Sequence, residues 1–426
     1  MSNRFVGVRS AVKNSAFLFA TQAASIAIRF AYLFVLARIL SPARYGALNY
    51  ALSWYLLVLP LTYLGADVIL SREVGLSRER ASSLLGATLG MRLIAAFLVT
   101  LGLLVTISLF VDDPSLSTLV ALFSCALVGR SLWMWSASVF TAFEETRFTL
   151  RFEVITRLLE LTAVVIVVRL LGPDLYKIAI VHACSWLLQG TAATLLVFRR
   201  YEPRIHLPRL QWLQLLATGF PGAAFSISTA AFFQLPIILF GQIIGTGNSL
   251  GYFALAFQVI TYLVGIPTVI ASASLPVLSR SAARGDGKDR IAAVILAAAT
   301  VVGGLGLVLA ASLVGRPVVT FLFGERYAGA ALVLQHSLWL LPLASIAMLL
   351  QNVLFSNDVR SLGAKFGPLV GLAVMIGLFP TLTQSRGYVG ALICLAAGLA
   401  LWIVFASIES FRMGFFKMRT ARLRLN

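Results

Sequence analysis

Apolar runs recur along almost the entire chain, and their length restricts the fold more than any other feature of the sequence. Each run extends for about 20 residues, the length that an α-helix needs to cross the hydrocarbon core of a membrane. The runs are continuously apolar and do not alternate with polar residues, which excludes membrane-spanning β-strands. The sequence therefore predicts an all-α polytopic membrane protein with about 12 transmembrane helices.

The composition agrees with this class, since hydrophobic residues make up 59% of the chain and charged residues only 12%. Soluble domains carry about 25% charged residues. In a soluble protein the net charge of +18 would suggest a nucleic-acid partner. With the N-terminus inside, however, the inner segments hold about four times as many Lys and Arg residues as the outer ones, as membrane proteins generally do. We therefore expect both termini in the cytoplasm and no nucleic-acid partner.

The chain divides near its middle at the polar segment Arg199–Gln211. Two similar stretches, Tyr45–Ala51 and Leu250–Ala256, follow the first and the seventh apolar run. Both stretches begin helices that are predicted to run from outside to inside. This pattern predicts a parallel repeat of two six-helix lobes, residues 1–205 and 206–426, an arrangement that suits alternating access.

Metal, cofactor and enzymatic chemistry are not indicated. Cys125, Cys184 and Cys394 lie in apolar stretches without a CxxC motif, and the histidines are scattered. A membrane polymerase or glycosyltransferase would need an active carboxylate or metal site in a sizeable outer loop. The longest outer loop, near Gly315–Leu332, is short and contains one acid, Glu325. We therefore expect a protein without cofactor or metal that is not an enzyme.

Four arginines fall inside the predicted spans: Arg29, Arg92, Arg130 and Arg157. A charge at the bilayer centre costs at least about 2.5–3.5 kcal/mol, so such residues face a cavity or a partner. Arg29 lies about 21 Å from the inner end of the first helix, past the midplane of the membrane. We predict that Arg29, Arg92 and Arg130 bind substrate.

Two acids are candidates for coupling transport to an ion, namely Asp67 and Glu160. Each also has a structural explanation. Asp67 lies at the level of Arg92 and could pair with it. Glu160 follows Arg157 at i, i+3 on one helix, a spacing that favours an intrahelical ion pair.

The second half of the chain offers neutral polar groups in its spans, of which Gln234 and Gln258 are the predicted substrate-binding residues. Arginine in a low dielectric binds phosphate through two parallel hydrogen bonds. Amide side chains suit sugar hydroxyls. A substrate with pyrophosphate at one end and sugars at the other would fit both halves.

Three loop stretches resemble one transporter family. They are Leu36–Gly46 (LARILSPARYG), Pro276–Arg280 followed by Gly285–Asp286, and Arg316–Tyr327 (RPVVTFLFGERY). With the order of the spans, they resemble the Wzx-type oligosaccharide flippases, the polysaccharide-transporter branch of the MOP superfamily that also contains the MATE exporters. The resemblance implies a MATE/MOP-like bundle with a cationic central cavity, and it gives Arg29 the position of an essential arginine.

The resemblance also implies a function: movement of an undecaprenyl-pyrophosphate-linked oligosaccharide across the bacterial inner membrane. The implied partners are this polyprenyl-pyrophosphate-linked glycan, membrane lipid and a cognate polysaccharide polymerase. The stretch Phe233–Gly241 departs from the family, which often has an acid there. The alternative is a MATE-like exporter of small molecules, which for cationic drugs would need buried carboxylates.

Overall fold

The computed structural model describes residues 2–66, 70, 74, 81–204, 209–265, 288–357 and 362–412. Helices form nearly all of the described chain. In the first half they are α1 Ser2–Ile39, α2 Pro42–Val58, α3 Ala81–Phe110, α4 Pro114–Ser124, α5 Ala126–Ala142, α6 Arg147–Leu171 and α7 Leu175–Tyr201. In the second half they are α8 Arg209–Ile244, α9 Asn248–Gly265, α10 Lys288–Phe323, α11 Ala328–Ser337, α12 Leu340–Asn357 and α13 Leu362–Arg412.

Short 3-10 helices and tight breaks connect some of these elements. Leu59–Thr62 extends α2, and Glu325–Tyr327 joins α10 to α11. A break at Gly387, with φ of 58°, divides α13 into the spans Phe366–Arg386 and Tyr388–Arg412.

Local capping explains where several helices begin. Ser41 caps α2, with proline at the first helical position. Asp113 accepts a hydrogen bond from the Ser115 amide at 2.8 Å at the start of α4, and Asp174 accepts one from the Tyr176 amide at 2.9 Å at the start of α7. Hydrogen bonds from the Ser115 hydroxyl and amide lower the pKa of the Asp113 carboxyl from its usual value. These caps end the short loops between successive spans.

Eight helices of the described chain are long and apolar enough to cross a membrane, or up to ten if each of two bent helix pairs forms one span. Large apolar side chains on their outer faces, such as Phe97 on α3 and Phe321 on α10, are exposed, as expected for residues that contact lipid. The predicted all-α polytopic membrane fold is therefore confirmed. The count of 12 and the cytoplasmic termini stay predictions, because segments such as 266–287 lie outside the described residues.

Contacts between helices fall into two groups, α1–α7 and α8–α13. The first group is held mainly by α5 against α7 and α1 against α6, and the second by α8 and α12 against α13. Between the groups, α2 packs along α8, and α1 contacts α10. The predicted boundary at residues 205–206 lies outside the described residues, so the division into lobes 1–205 and 206–426 stays a prediction.

The two groups share a helical register that agrees with the predicted repeat. Helices α1 and α8 end at Ile39 and Ile244, and the same number of residues separates these ends as separates Gly46 from Gly251. A tight turn follows each end and leads into α2 or α9.

Candidate functional site: a charged cavity between the helix groups

A cavity of about 250 Å³ lies between the two helix groups. Its walls come from α1, α2 and α4–α7 on one side and from α8 and α9 on the other. Charged side chains enter it from the first group only, among the described lining residues: Arg29, Arg130, Glu153, Arg157 and Glu160. A concave site with a few convergent polar groups is the usual form of a ligand pocket.

Arg29 and Gln234 occupy equivalent places in the two helix groups. Arg29 lies on α1 and Gln234 on α8, each at the same distance along the chain from the end of its helix. Both line the cavity. The Oε1 atom of Gln234 is buried and has no hydrogen-bond partner within the described part of the chain. The repeat therefore presents a cation from one group and an amide from the other.

Arg130 is held against α7 by a close helix contact. A Cβ atom added to Gly190 would lie 2.1 Å from the Gly129 carbonyl oxygen, so the α5 and α7 backbones touch. The next residue, Arg130, extends its guanidinium over the Trp186 indole, 4.6 Å from the ring centre, and donates a hydrogen bond to the Tyr55 hydroxyl. Aromatic faces thus hold the cation in place while it lines the cavity.

Arg157 contacts residues of its own helix group. It donates hydrogen bonds to Glu160 and, at 2.5 Å, to the Oε1 atom of Gln189. Its guanidinium also lies 3.7 Å from the centre of the Trp186 ring. The intrahelical pair of Arg157 and Glu160 predicted from their spacing is confirmed.

The tautomer of His182 follows from its two partners. Trp186 Nε1 lies 3.1 Å from His182 Nε2, and an indole N–H can only donate, so Nε2 is an acceptor. The proton therefore sits on Nδ1, which donates to Glu160 Oε1 at 2.6 Å. A neutral His182 and the Arg157 guanidinium thus occupy both oxygens of Glu160.

Glu153 is bound differently from Glu160. It is 6% exposed. Its Oε1 atom accepts a hydrogen bond from the Ser25 hydroxyl at 3.1 Å, and its Oε2 atom accepts one from the Gln189 amide at 3.3 Å. Both donors are neutral, and among the described residues Glu153 has no Lys or Arg nitrogen within ion-pair distance.

Amide side chains link the two groups across the cavity. Gln258 on α9 donates to the Oδ1 atom of Asn49 on α2 at 3.2 Å, and both residues are buried. Asn49 in turn donates to the Tyr45 carbonyl at 2.9 Å. The sequence predicts Gln258 as a substrate-binding residue but gives no comparable signal for Asn49.

Arg92 lies apart from the other arginines. It is 1% exposed, donates to the Ser131 carbonyl at 3.1 Å and lies over the Tyr63 ring at 5.6 Å. It is not among the described residues that line the cavity. Its predicted partner Asp67 lies outside the described residues, so the pairing and the ion-coupling role of Asp67 stay predictions.

Five of the residues predicted from the sequence line the cavity, namely Arg29, Arg130, Gln234, Gln258 and Glu160. The polar residues of α7 that contact this site were not among the predicted residues. His182, Trp186 and Gln189 follow each other at i, i+4 and i+7, which places them on one helix face. This polar face on an otherwise apolar helix is the signal that could have found them.

The arrangement suits an anion. The charges of Arg157 and Glu160 offset each other. Among the described residues that line the cavity, two cations, Arg29 and Arg130, and one anion, Glu153, then remain. Within the described residues no group of His, Cys, Asp and Glu side chains could hold a metal ion. Guanidinium groups in a low dielectric bind phosphate oxygens strongly.

The fold is similar to that of several solved transporters. A multidrug resistance MATE family transporter of the MOP superfamily, in an inward-facing conformation, has a TM-score of 0.73 at 14% identity over 95% of this chain and 96% of that one. The lipid II flippase MurJ, in an inward closed conformation, has a TM-score of 0.69 at 13% identity over 95% and 87%. A MOP superfamily transporter from Pyrococcus furiosus has a TM-score of 0.68 at 15% identity over 95% of both chains. The fold is that of the MOP superfamily transporters.

The family model described as "Polysaccharide biosynthesis protein" matches residues 11–282, more than half of the chain. The chain belongs to this family, as its loop motifs predicted. No curated protein sequence matches it.

Proposed function

We propose that this protein is a flippase that moves an undecaprenyl-pyrophosphate-linked oligosaccharide from the inner to the outer leaflet of the bacterial inner membrane. The observation that carries the proposal is the cavity that has guanidinium groups on one wall and amide groups on the other. The family supplies the link to polysaccharide biosynthesis. The fold supplies the transporter architecture.

Arg29 and Arg130 are the proposed ligands of the pyrophosphate. Both line the cavity, and Arg130 is oriented by Tyr55 and Trp186 before any ligand arrives. Such preorganisation reduces the entropic cost of binding. Arg92 has an internal carbonyl and ring partner, which favours a role in helix packing.

Gln234 and Gln258 are the proposed ligands of the sugar. The unpartnered Oε1 atom of Gln234 is an acceptor for a hydroxyl, because a buried polar atom without a partner costs free energy that a ligand can recover. The bond between Gln258 and Asn49 would exchange for sugar hydroxyls when the groups separate.

Alternating access requires contacts that open at one end at a time. Gly46 meets Gly251 on the predicted outer half of the interface, and Gly65 meets Gly219 on the predicted inner half. We propose that the cavity opens to the cytoplasm when the inner contact separates and to the outside when the outer contact separates. Glu160, with both oxygens occupied, is better suited to fixing Arg157 than to binding a coupling ion.

Deletion of the gene in its host, followed by analysis of polyprenyl-linked glycans in the inner membrane, tests the proposal. We expect accumulation of cytoplasm-facing repeat units and loss of surface polymer. Complementation with Arg130→Ala should fail at normal expression, and Arg130→Lys should restore export only in part, because lysine lacks the bidentate fork. Arg316→Ala, at an exposed position of α10, is the matched control.

Normal surface polymer without accumulated intermediate, in a host lacking a second flippase, would reject the proposal. It would favour the small-molecule exporter, for which the MATE-like fold is the supporting observation. The cognate polymerase remains a proposed partner, and its association with this protein can be measured by cross-linking in the same host.

A further inference from the structure

Four arginines lie at the predicted inner ends of α6 and α7, namely Arg147, Arg151, Arg199 and Arg200. Glu145 accepts hydrogen bonds from two of them, from Arg200 Nε at 2.6 Å and from Arg147 at 3.4 Å. The side chains of Arg151 and Arg199 are exposed and have no hydrogen bond or ion pair within the described part of the chain. Two guanidinium groups at this end of the helices are therefore available to a ligand.

Aromatic contacts hold the inner ends of α6 and α7 beside each other. The rings of Phe143 and Tyr201 stack with their centres 4.2 Å apart. The guanidinium groups of Arg147 and Arg200 lie over the Phe148 ring, 4.9 and 5.3 Å from its centre. The two available arginines lie one helical turn after the first of these cations and one residue before the second. They are thus carried by two helix ends that are packed together.

Each available arginine continues a row of exposed side chains on its helix. On α6, Arg151 is followed at i+4 and i+8 by Ile155 and Leu159, which are 56% and 57% exposed. On α7, Arg199 follows Leu195, which is 60% exposed, at i+4. Residues at these spacings share one helix face. The exposed row of α7 consists of Cys184, Leu188, Thr191 and Leu195.

These two rows lie on the lipid side of the helices. The cavity is lined by other faces of the same helices, through Arg157 and Glu160 on α6 and His182 and Trp186 on α7. Apolar side chains that remain exposed on a membrane-spanning helix are covered by acyl chains. The lipid-facing surface of α6 and α7 therefore runs from apolar side chains to a pair of arginines at its predicted inner edge.

This order of groups matches the structure of an anionic phospholipid. Arginine binds phosphate oxygens through two parallel hydrogen bonds. A long basic side chain on a lipid-facing helix keeps its stem against apolar surface and extends its charge to the headgroup level. Basic groups on the cytoplasmic side of membrane helices attract anionic headgroups. An unpaired arginine at the end of an apolar row satisfies all three conditions.

We infer that Arg151 and Arg199 form a binding site for an anionic phospholipid of the inner leaflet. The guanidinium groups hold the headgroup phosphate, and the acyl chains lie along the exposed rows of α6 and α7. Binding is noncovalent. The inference goes beyond the proposed function, because this lipid is not the transported substrate and its site lies outside the cavity.

The test measures lipid binding to the full chain in detergent by native mass spectrometry. Dioleoyl phosphatidylglycerol is the anionic probe, and dioleoyl phosphatidylethanolamine is the zwitterionic one. Wild type is compared with Arg151→Gln, Arg199→Gln and the double variant. Arg204→Gln is the matched control, since it removes the same charge at an exposed position just beyond the end of α7, outside the exposed row.

We expect wild type to prefer phosphatidylglycerol and each single variant to bind it about fivefold more weakly. This is the effect of about 1 kcal/mol per basic residue near a membrane surface. The double variant should lose about 25-fold if the two contributions add. Arg204→Gln should bind as wild type does, and all variants should bind phosphatidylethanolamine equally.

Two results would overturn the inference. Equal affinity of wild type for the two lipids would show that the site does not select an anionic headgroup. An equal loss of affinity in Arg204→Gln and Arg199→Gln would show that only the general excess of positive charge at the inner side matters. If the double variant does not fold, unchanged affinity in both single variants has the same consequence.

A competition measurement separates the lipid from a free phosphate ligand. Glycerol phosphate, which has the headgroup chemistry without acyl chains, should not displace phosphatidylglycerol from wild type even in large excess. Displacement would show that the exposed rows contribute nothing and would reject a lipid site. Because none of these measurements involves transport, their failure would leave the proposed flippase function untouched.

Discussion

Gly46 of α2 and Gly251 of α9 lie in backbone contact across the two helix groups. A Cβ atom on Gly46 would come within 2.8 Å of the Gly251 amide nitrogen, and one on Gly251 would come within 1.9 Å of the Pro42 carbonyl oxygen. These are the residues that the sequence repeat pairs with each other. Equivalent residues of two related units meet only near the axis that relates them. The contact therefore marks the repeat axis on the predicted outer side of the cavity.

Substitutions at this contact should be unequal. We expect Gly251→Ala to separate the helices and lower the Tm in detergent, because its methyl group would meet rigid backbone and overpacking costs about 1–3 kcal/mol. Gly46→Ala should cost less, since its nearest contact is longer. Gly247→Ala, in the turn that precedes α9, is the control, because an added Cβ there meets no atom within 4 Å. An equal Tm for all three variants would contradict this account of the contact.

Two arginines near these glycines each donate hydrogen bonds to the end of a helix in the other group. Arg38 of α1 donates to the carbonyls of Phe321 and Leu322 at the end of α10. Arg326 donates to the carbonyls of Arg38 and Leu40 at the end of α1, at 3.2 and 3.5 Å. The last carbonyls of a helix lack internal partners, so each arginine caps a helix of the opposite group.

We predict that Arg326→Gln weakens closure of this end of the interface. A single cysteine introduced at Asn49, in a chain without its own cysteines, should react faster with a membrane-impermeant thiol reagent added from outside. The expected increase is about tenfold, corresponding to about 1.4 kcal/mol for the lost charge-assisted hydrogen bonds. Arg316→Gln on α10 should leave the rate unchanged. A rate that does not rise in Arg326→Gln would show that this cap does not hold the outer end closed.

The pair of Arg157 and Glu160 is predicted to act mainly on stability. Arg157→Met leaves Glu160 buried with half of its partners and should cost about 3–5 kcal/mol. The double variant Arg157→Met/Glu160→Met removes both charges and should recover part of that loss. Recovery will be incomplete, because the Nδ1 proton of His182 loses its acceptor, at about 1–3 kcal/mol.

Unfolding in detergent, followed by tryptophan fluorescence, gives the order of stability of the two variants and wild type. A double variant less stable than Arg157→Met alone would contradict the idea that an unpaired buried charge is the main cost. Because the readout is stability, it does not depend on the identity of the substrate.

The position of a residue along its helix could be predicted from the sequence, but the direction in which its side chain faces could not. Arg29, Arg130 and Arg92 all lie well inside long apolar runs, and depth alone suggested one role for all three. In the structure Arg29 and Arg130 line the cavity, whereas Arg92 lies on a helix face that packs within the first group. Which face is turned inward depends on neighbouring helices, about which a single apolar run carries little information.

Contacts between different helices could not be predicted from the sequence either. The pairing of Arg157 with Glu160 follows from spacing on one helix, so it was predicted. The bonds of Glu160 to His182 and of Glu153 to Ser25 cross between helices and follow from packing. The close approach of Gly129 and Gly190, which brings Arg130 to Trp186, likewise depends on two distant segments of the chain.

Glu145 gives a prediction that is independent of transport. It lies in the turn between α5 and α6 and accepts hydrogen bonds from Arg200 Nε at 2.6 Å, from Arg147 at 3.4 Å and from the Tyr201 hydroxyl. Partial burial opposes ionisation of this carboxyl, but the donors outweigh burial and lower the pKa of Glu145 from its usual value. The ionised carboxylate therefore stabilises the fold above the pKa of the unfolded chain.

That contribution should disappear as the pH falls through the lowered pKa of the folded protein, because folded and unfolded chains then both carry the neutral acid. We expect Glu145→Gln to have a lower Tm than wild type at neutral pH, with a loss of about 0.2–1 kcal/mol for a partly exposed ion pair. The difference should shrink as the pH falls below the ordinary glutamate pKa of about 4.3, and it should vanish once the pH lies below the lowered pKa of the folded protein. Glu202→Gln, at an exposed position near the end of α7, should match wild type throughout. A Tm difference in Glu145→Gln that persists unchanged at acidic pH would show that the side chain acts through packing, since only the ionised carboxylate can pair with Arg200.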